Sequence, residues 1–220
     1  MTPRQAFDPA CRRCPRLNAF LHEVKARHPS YHCAPVAPFG DPRARLLIVG
    51  LAPGMHGANA TGRPFTGDFA GILLYRTLHR YGFSNQAAVS NRDDGLVMRD
   101  CRITNAVKCL PPENKPKAAE INTCNDFLAA ELEALPQKSM ILVLGGIAHK
   151  ATVKALNLRQ SEYPFAHGVE YALSSGKRLL ASYHCSRYNT QTGRLTSSMF
   201  ERVIARAREW IDSQGGTQEQ

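Results

Sequence analysis

The sequence predicts an α/β fold: a single domain on a central, mainly parallel, twisted sheet with helices on both faces. Continuous apolar runs of strand length recur along the chain, as they do where both faces of a sheet are covered. Segments with apolar residues at helical spacing separate those runs, and strands alternating with helices are the mark of a parallel sheet. Gly- and Pro-containing stretches punctuate the joins.

The first 40 residues are rich in Pro, Cys and basic side chains and carry one short helical pattern, around Leu17 to Lys25. Arg45 to Leu51 (RLLIVGL) reads as a buried strand, and a Gly/Pro-rich loop follows from Ala52 to Gly67. Gly71 to Tyr81 is amphipathic, with Leu74, Leu78 and Tyr81 on one face. Cys101 to Val107 (CRITNAV) reads as a second strand, and the three prolines between Leu110 and Lys117 predict irregular chain. A long helical pattern covers Lys117 to Leu135. Met140 to Leu144 (MILVL) is a third buried strand, stopped by Gly145-Gly146 and followed by a helix to about Leu156. Val169 to Leu173 and Arg178 to Tyr183 flank Ser174-Ser175-Gly176 as a hairpin. Ser197 to Asp212 repeats Phe200, Val203, Ile204 and Ile211 at helical spacing. The domain is therefore read as residues 1–212, with a loose polar tail at 213–220.

A chain of 220 residues, 43% hydrophobic, can build one core without disulfides. Lys plus Arg outnumber Asp plus Glu by 28 to 18, for a formal charge of +10. Such a surface attracts polyanions, and duplex DNA carries one phosphate charge per ~1.7 Å of axis. No apolar run approaches the ~18–20 residues that span a bilayer. Met1 to Phe7 lacks the apolar core of a secretory signal. No membrane partner is expected, and the cytoplasm is the expected location. Seven cysteines in a reducing compartment point to metal ligation or burial rather than a disulfide framework.

Cys11 and Cys14 form a C-x-x-C, while Cys109 and Cys124 flank the Pro-rich stretch far along the chain. A tight turn places both sulfurs of a C-x-x-C on one metal centre. Spacing alone leaves zinc and an iron–sulfur cluster equally open. A thioredoxin-like redox pair fits less well, because no strand precedes Cys11 and the pair does not open a helix of a βαβ unit. Cys33, Cys101 and Cys185 have no comparable partner, and Cys101 reads as a small core residue. In a parallel α/β sheet the working loops gather beyond the carboxyl ends of the strands. The loops after Leu51, Val107 and Tyr183 are the chemically loaded ones, so they are expected to share one site.

Gly50-Leu51-Ala52-Pro53-Gly54-Met55-His56-Gly57-Ala58-Asn59, running on through Thr61-Gly62-Arg63-Pro64-Phe65-Thr66-Gly67-Asp68, resembles the first motif of the family-5 uracil-DNA glycosylases. His184-Cys185-Ser186-Arg187-Tyr188-Asn189-Thr190-Gln191-Thr192-Gly193-Arg194-Leu195-Thr196 is similar to that family's second motif, and Ala106 to Pro116 to a segment that carries a cluster ligand. The matches keep their order from about Cys11 to Arg208. Family-4 enzymes, which share the four-cysteine cluster, usually have Glu where this chain has Leu51, so family 5 is the better fit. The resemblance implies a uracil-DNA glycosylase-like fold and a monofunctional DNA glycosylase of base excision repair. It implies activity on uracil in double- and single-stranded DNA, with hypoxanthine, xanthine or ethenocytosine as further substrates. It also implies a structural [4Fe-4S] cluster on Cys11, Cys14, Cys109 and Cys124. The enzyme is expected to act as a monomer associated with the nucleoid through DNA. The competing readings are a strict, family-4-like uracil glycosylase, a non-catalytic binder of damaged DNA and a redox regulator unrelated to DNA.

A glycosylase must extrude its base, stack it, hydrogen-bond its edge and meet a sugar that becomes cationic. Phe65 is the expected stacking platform, as its counterpart is in the related families; the alternative is a loop anchor packed in the core. Ala52, Pro53 and Gly54 are expected beside the base. Uracil glycosylases of the best-known family carry a water-orienting Asp at the Ala52 position; here water activation must come from elsewhere, or the water must add with little help to an already dissociated oxocarbenium ion. Asp68 is the leading candidate, against a purely N-capping role. Asn105 can donate to and accept from a base edge, and His184 is expected to donate to the leaving base, as in other glycosylases. A plain structural role is the competing reading for each, and His56 is a supporting candidate. Arg187 and Tyr188, at the tip of the late loop, are expected to wedge into the minor groove. Arg63, Lys108, Lys115, Lys117 and Arg194 are expected near phosphates. No lysine is placed for Schiff-base chemistry.

Overall fold

The computed structural model describes residues 6–214. The start of the chain at Met1 and the expected tail beyond Gln214 lie outside the described residues. The elements run α1 (Pro15–Arg27), β1 (Phe39–Gly40), β2 (Leu46–Gly50), α2 (Ala58–Thr61), α3 (Phe69–Arg80), β3 (Cys101–Asn105), α4 (Ala118–Glu133), β4 (Met140–Leu144), α5 (Gly146–Ala155), β5 (Glu170–Ala172), β6 (Arg178–Ser182), α6 (Arg187–Gln191) and α7 (Ser197–Ser213). Two short 3₁₀ turns, Pro112–Asn114 and Gln160–Glu162, complete them.

One six-stranded sheet has the order β1-β3-β2-β4-β6-β5. The four central strands are parallel and the two short edge strands antiparallel. Why the central runs are apolar throughout follows from the alternation of side chains along a strand. Leu46 and Ile48 of β2, with Met140, Leu142 and Leu144 of β4, pack on α3 and α7 through Leu74, Leu78, Phe200, Val203 and Ile204. Leu47, Val49, Ile141 and Val143 point to the other face, against Leu128 and Leu132 of α4 and Ala148 and Ala151 of α5. Each fully buried Leu or Ile contributes on the order of 2 kcal/mol of transfer free energy.

The predicted elements stand within a few residues of their expected bounds, and Cys101 is a buried core residue of β3. The helix expected from Gly71 begins at Phe69. The terminal helix runs to Ser213. Arg187 and Tyr188 do not sit on a bare loop tip. They open the short helix α6, whose N-cap Ser186 accepts a hydrogen bond from the Asn189 backbone N–H. Cys14 occupies the N-cap position of α1, with Pro15 in the first turn. Among the described residues no helix is long and apolar enough to cross a membrane.

Candidate active site

The carboxyl ends of the parallel strands lie level: Gly50 pairs with Asn105, and Leu144 with Ser182. Beyond them opens a cleft of about 530 Å³. Its walls include Ala52 and Gly54 from the segment after β2, Phe65 and Asp68 from the end of the same loop, and Asn105 from the tip of β3. His184 and Arg187 come from the segment after β6. Pro53 is buried and is not among the lining residues, because it faces into the protein between two residues that do line the cleft.

Two glycines make this convergence possible. A Cβ on Gly50 would lie 2.4 Å from Asn105 Oδ1 and 2.8 Å from Phe65 Cζ, so the bare Cα of Gly50 lets an amide and an aromatic ring meet over the strand. A Cβ on Gly57 would lie about 2 Å from the Asp68 carboxyl carbon and both its oxygens. The carboxyl group therefore rests directly on the Gly57 backbone.

Phe65 is a core anchor that also faces the cleft. It is 6% exposed and packs in the core beneath α3, yet its ring also forms part of the cleft wall. Its φ of +56° is uncommon for a residue with a bulky side chain; such backbone strain concentrates at functional sites. The Phe65 and His184 rings lie 5.8 Å apart between centroids and within 26° of parallel. Burial pushes the His184 imidazole down to about 4. The ring is thus neutral at physiological pH and carries one N–H to donate.

Asp68 occupies the N-cap position of α3, but its side chain makes no capping bond there. It instead accepts a 3.4 Å hydrogen bond from the backbone N–H of Ala58, at the start of α2. Burial raises its pKa, opposed by that N–H and by the nearby His56. His56 itself is exposed, and Tyr31 Oη lies 2.8 Å from its Nδ1.

The loop after β3 and the helix α4 also help to bring the four cysteines together. Cys11, Cys14, Cys109 and Cys124 line one pocket whose apolar walls include Leu17, Val107 and Phe127. Burial, reinforced by the three neighbouring sulfurs, pushes the Cys109 thiol up to about 12. Among the described residues, no group of three His, Cys, Asp or Glu side chains is arranged to hold one metal ion.

The family model of the uracil DNA glycosylase superfamily matches residues 37–208. The chain is 48% identical over 204 residues to a type-5 uracil-DNA glycosylase of Thermus thermophilus, covering 90% of this chain and 93% of that one. It is 42% identical to a type-5 enzyme of Pyrobaculum aerophilum, covering 94% of both. The chain belongs to the type-5 uracil-DNA glycosylases. A type-4 uracil-DNA glycosylase of Archaeoglobus fulgidus is more distant, at 31% identity over 80% of this chain and 76% of the relative. A crystal structure titled as wild-type Pedobacter heparinus SMUG2 shares the fold, with a TM-score of 0.50 at 16% identity over 87% of this chain and 83% of that one.

Within this glycosylase fold, two basic residues expected near phosphates are turned inward. Arg63 is 2% exposed and forms a two-pronged ion pair with Asp94, at 2.9 and 2.7 Å, while its Nε donates to Thr66 Oγ1. It braces the loop that carries Phe65 and cannot reach DNA. Lys108 is equally buried, against Thr104 and Glu131. Lys115 and Lys117 are exposed; the Lys115 ammonium pairs with Glu113. Arg187, Tyr188 and Arg194 are exposed as expected. The Arg187 guanidinium lies 5.0 Å from the Phe69 ring centroid, and that of Arg194 4.6 Å from the Tyr183 centroid.

The sequence reading missed a fourth wall, Gly145, Gly146 and Ile147 at the turn from β4 into α5. The Gly-Gly pair was visible, but only as the end of a strand. Asn114 also lines the cleft, with a left-handed φ of +56° that follows another left-handed residue, Glu113. Nothing in the Pro-rich sequence signalled that placement.

Proposed function

We propose that the protein hydrolyses the N-glycosidic bond of uracil in DNA and leaves an abasic site, and that hypoxanthine, xanthine and ethenocytosine are further substrates. The observation that carries this reading is the meeting of Phe65, Asp68, Asn105 and His184 in one cleft at the carboxyl end of the sheet.

The reaction begins with a nucleotide swung out of the helix. Its base lies against the Phe65 ring, and the Asn105 amide matches the donor and acceptor groups of the base edge. The C1′–N bond then breaks, and its electron pair leaves with the base. Neutral His184 donates a hydrogen bond to the carbonyl oxygen that gathers this negative charge. The sugar becomes an oxocarbenium ion, and the Asp68 carboxylate offsets that positive charge. Asp68 also orients a water whose oxygen bonds to C1′, taking up the proton the water releases. Among the described residues that line the cleft there is no lysine. A covalent Schiff-base intermediate, and the strand cleavage that follows from one, are therefore not part of this mechanism.

Cys11, Cys14, Cys109 and Cys124 suit a [4Fe-4S] cluster. Their donor set is all thiol, they surround one pocket, and a cluster asks for one thiolate per iron rather than several on a single ion. When bound, the cluster supplies a cross-link between the N-terminal segment, the loop after β3 and α4. Arg187 lines the cleft, and with the exposed Tyr188 and Arg194 it is assigned to the DNA backbone and minor groove. The enzyme acts as a monomer on double- or single-stranded DNA.

The test uses iron-replete protein and end-labelled oligonucleotides with a single uracil, hypoxanthine, xanthine or ethenocytosine, followed by hot alkali. Strand breaks at the uracil position only after alkali are expected. Binding to the uracil strand with no breaks would refute catalysis and favour a damage-binding protein.

A further inference from the structure

Lys108 is one of the largest fully buried side chains in the molecule, and the proposed chemistry does not use it. Its ammonium donates to Glu131 Oε1 of α4 at 2.7 Å and to Thr104 Oγ1 of β3 at 2.5 Å. The side chains of Lys108 and Glu131 are only 1% and 11% exposed, and Glu131 Oε2 is buried with no hydrogen-bond partner. Burying an ion pair is on average no more stabilising than burying apolar residues of the same shape, and an orphaned oxygen adds a cost. Stability therefore does not explain the pair.

Position does. Thr104 and Lys108 bracket Asn105, so the bond from Nζ back to Thr104 closes a loop of five residues around the amide that faces the cleft. The backbone of the loop is tied down as well. Ala106 and Val107 donate to the carbonyls of Gly50 and Leu51, and the Lys108 carbonyl accepts from Val36. Through Glu131 the bracket is anchored on α4, the helix that also carries Cys124.

We infer that the buried Lys108–Glu131 pair is a positioning device that holds the Asn105 amide at the angle the extruded base requires. The inference rests on the glycosylase reading above. A slightly misplaced group near the chemistry costs on the order of a hundredfold in rate, while product binding, which depends on the open cleft and its basic rim, is spared.

The test compares wild type with Lys108→Met/Glu131→Leu, which removes both charges and keeps the volume, and with Thr104→Val and Thr104→Ser. The double variant is expected to melt near the wild-type temperature and to hold the same iron and sulfide per chain. Its KM for uracil DNA should stay within about threefold while kcat falls about a hundredfold. Thr104→Val should lose about fivefold in kcat alone, and Thr104→Ser should restore it. A kcat within about twofold of wild type in the double variant, or in Thr104→Val should the double variant fail to fold, overturns the inference. Iron lost in step with kcat also overturns it, by assigning the pair to the cysteine pocket. Wild type that releases no uracil refutes the glycosylase reading and this inference with it. Release by wild type and variants alike refutes only the inference.

Discussion

The base cleft and the cysteine pocket are both built from segments far apart in the chain, yet they hold their polar groups in opposite ways. In the cleft, the Asn105 amide and the Asp68 carboxyl rest on the backbone of Gly50 and Gly57 and open onto empty volume. Polar groups fixed by close backbone contact are the kind that electrostatic catalysis uses. In the pocket, four thiols gather among apolar side chains, and burial together with the neighbouring sulfurs raises the cost of ionising Cys109. That arrangement settles as thiolates only around positive charge. One site rests its polar groups on glycine backbone; the other gathers four thiols among apolar side chains.

The largest effect should come from Asp68→Asn, which keeps the shape and removes the charge. Single-turnover uracil release should fall by about 10²–10³ while DNA binding is retained. A loss below about tenfold would mean that the water needs no help and that the cleft works through its donors alone.

Cys124→Ser is the matching change at the other end. It should lower the melting temperature by about 10 °C, read by circular dichroism, and reduce the rate of the folded fraction by less than about tenfold. A rate loss as deep as that of Asp68→Asn would erase the distinction between a catalytic end and a structural one.

The third prediction concerns pH. His184 holds a pKa of about 4 in the folded protein, against ~6.5 in an unfolded chain. The unfolded chain therefore binds more protons between those values, so this contribution to stability is complete above ~6.5 and is lost as the pH falls through about 4. Urea unfolding should show a loss on the order of 3 kcal/mol across that window, and His184→Gln should flatten it. The same neutral ring should leave no inflection near pH ~6.5 in kcat/KM. An acid limb belongs instead to Asp68, whose carboxyl burial raises from its ordinary value.

The smallest effect separates two arginines. Arg187→Ala should lower the slope of log Kd against log salt by about 1. Arg63→Ala should leave that slope unchanged and lower the melting temperature, because it strands Asp94, whose carboxyl the guanidinium holds well below the usual range.

These residues also mark what could be read in advance. Asp68, Asn105 and His184 were legible because strand ends in a parallel sheet deliver their loops to one edge, so the position of a polar residue after an apolar run carries spatial information. Arg63 was misread for a related reason. Its charge is visible in the sequence, but its partner Asp94 lies 31 residues away in a segment with no pattern of its own. Lys108 failed in the same way, since Glu131 sits on a helix whose facing residues only packing reveals.

Local sequence thus determined the strands, the main helices and the order of the loops, because apolar periodicity and turn chemistry act within a few residues. It also placed the four cysteines and the cleft residues on their elements. Tertiary structure alone decided which charges were buried as pairs, that Gly145–Ile147 would form a wall, and that Phe65 would serve core and cleft at once. Those outcomes depend on close approach between segments distant in the chain. A side chain's solvation is settled only when its neighbours arrive.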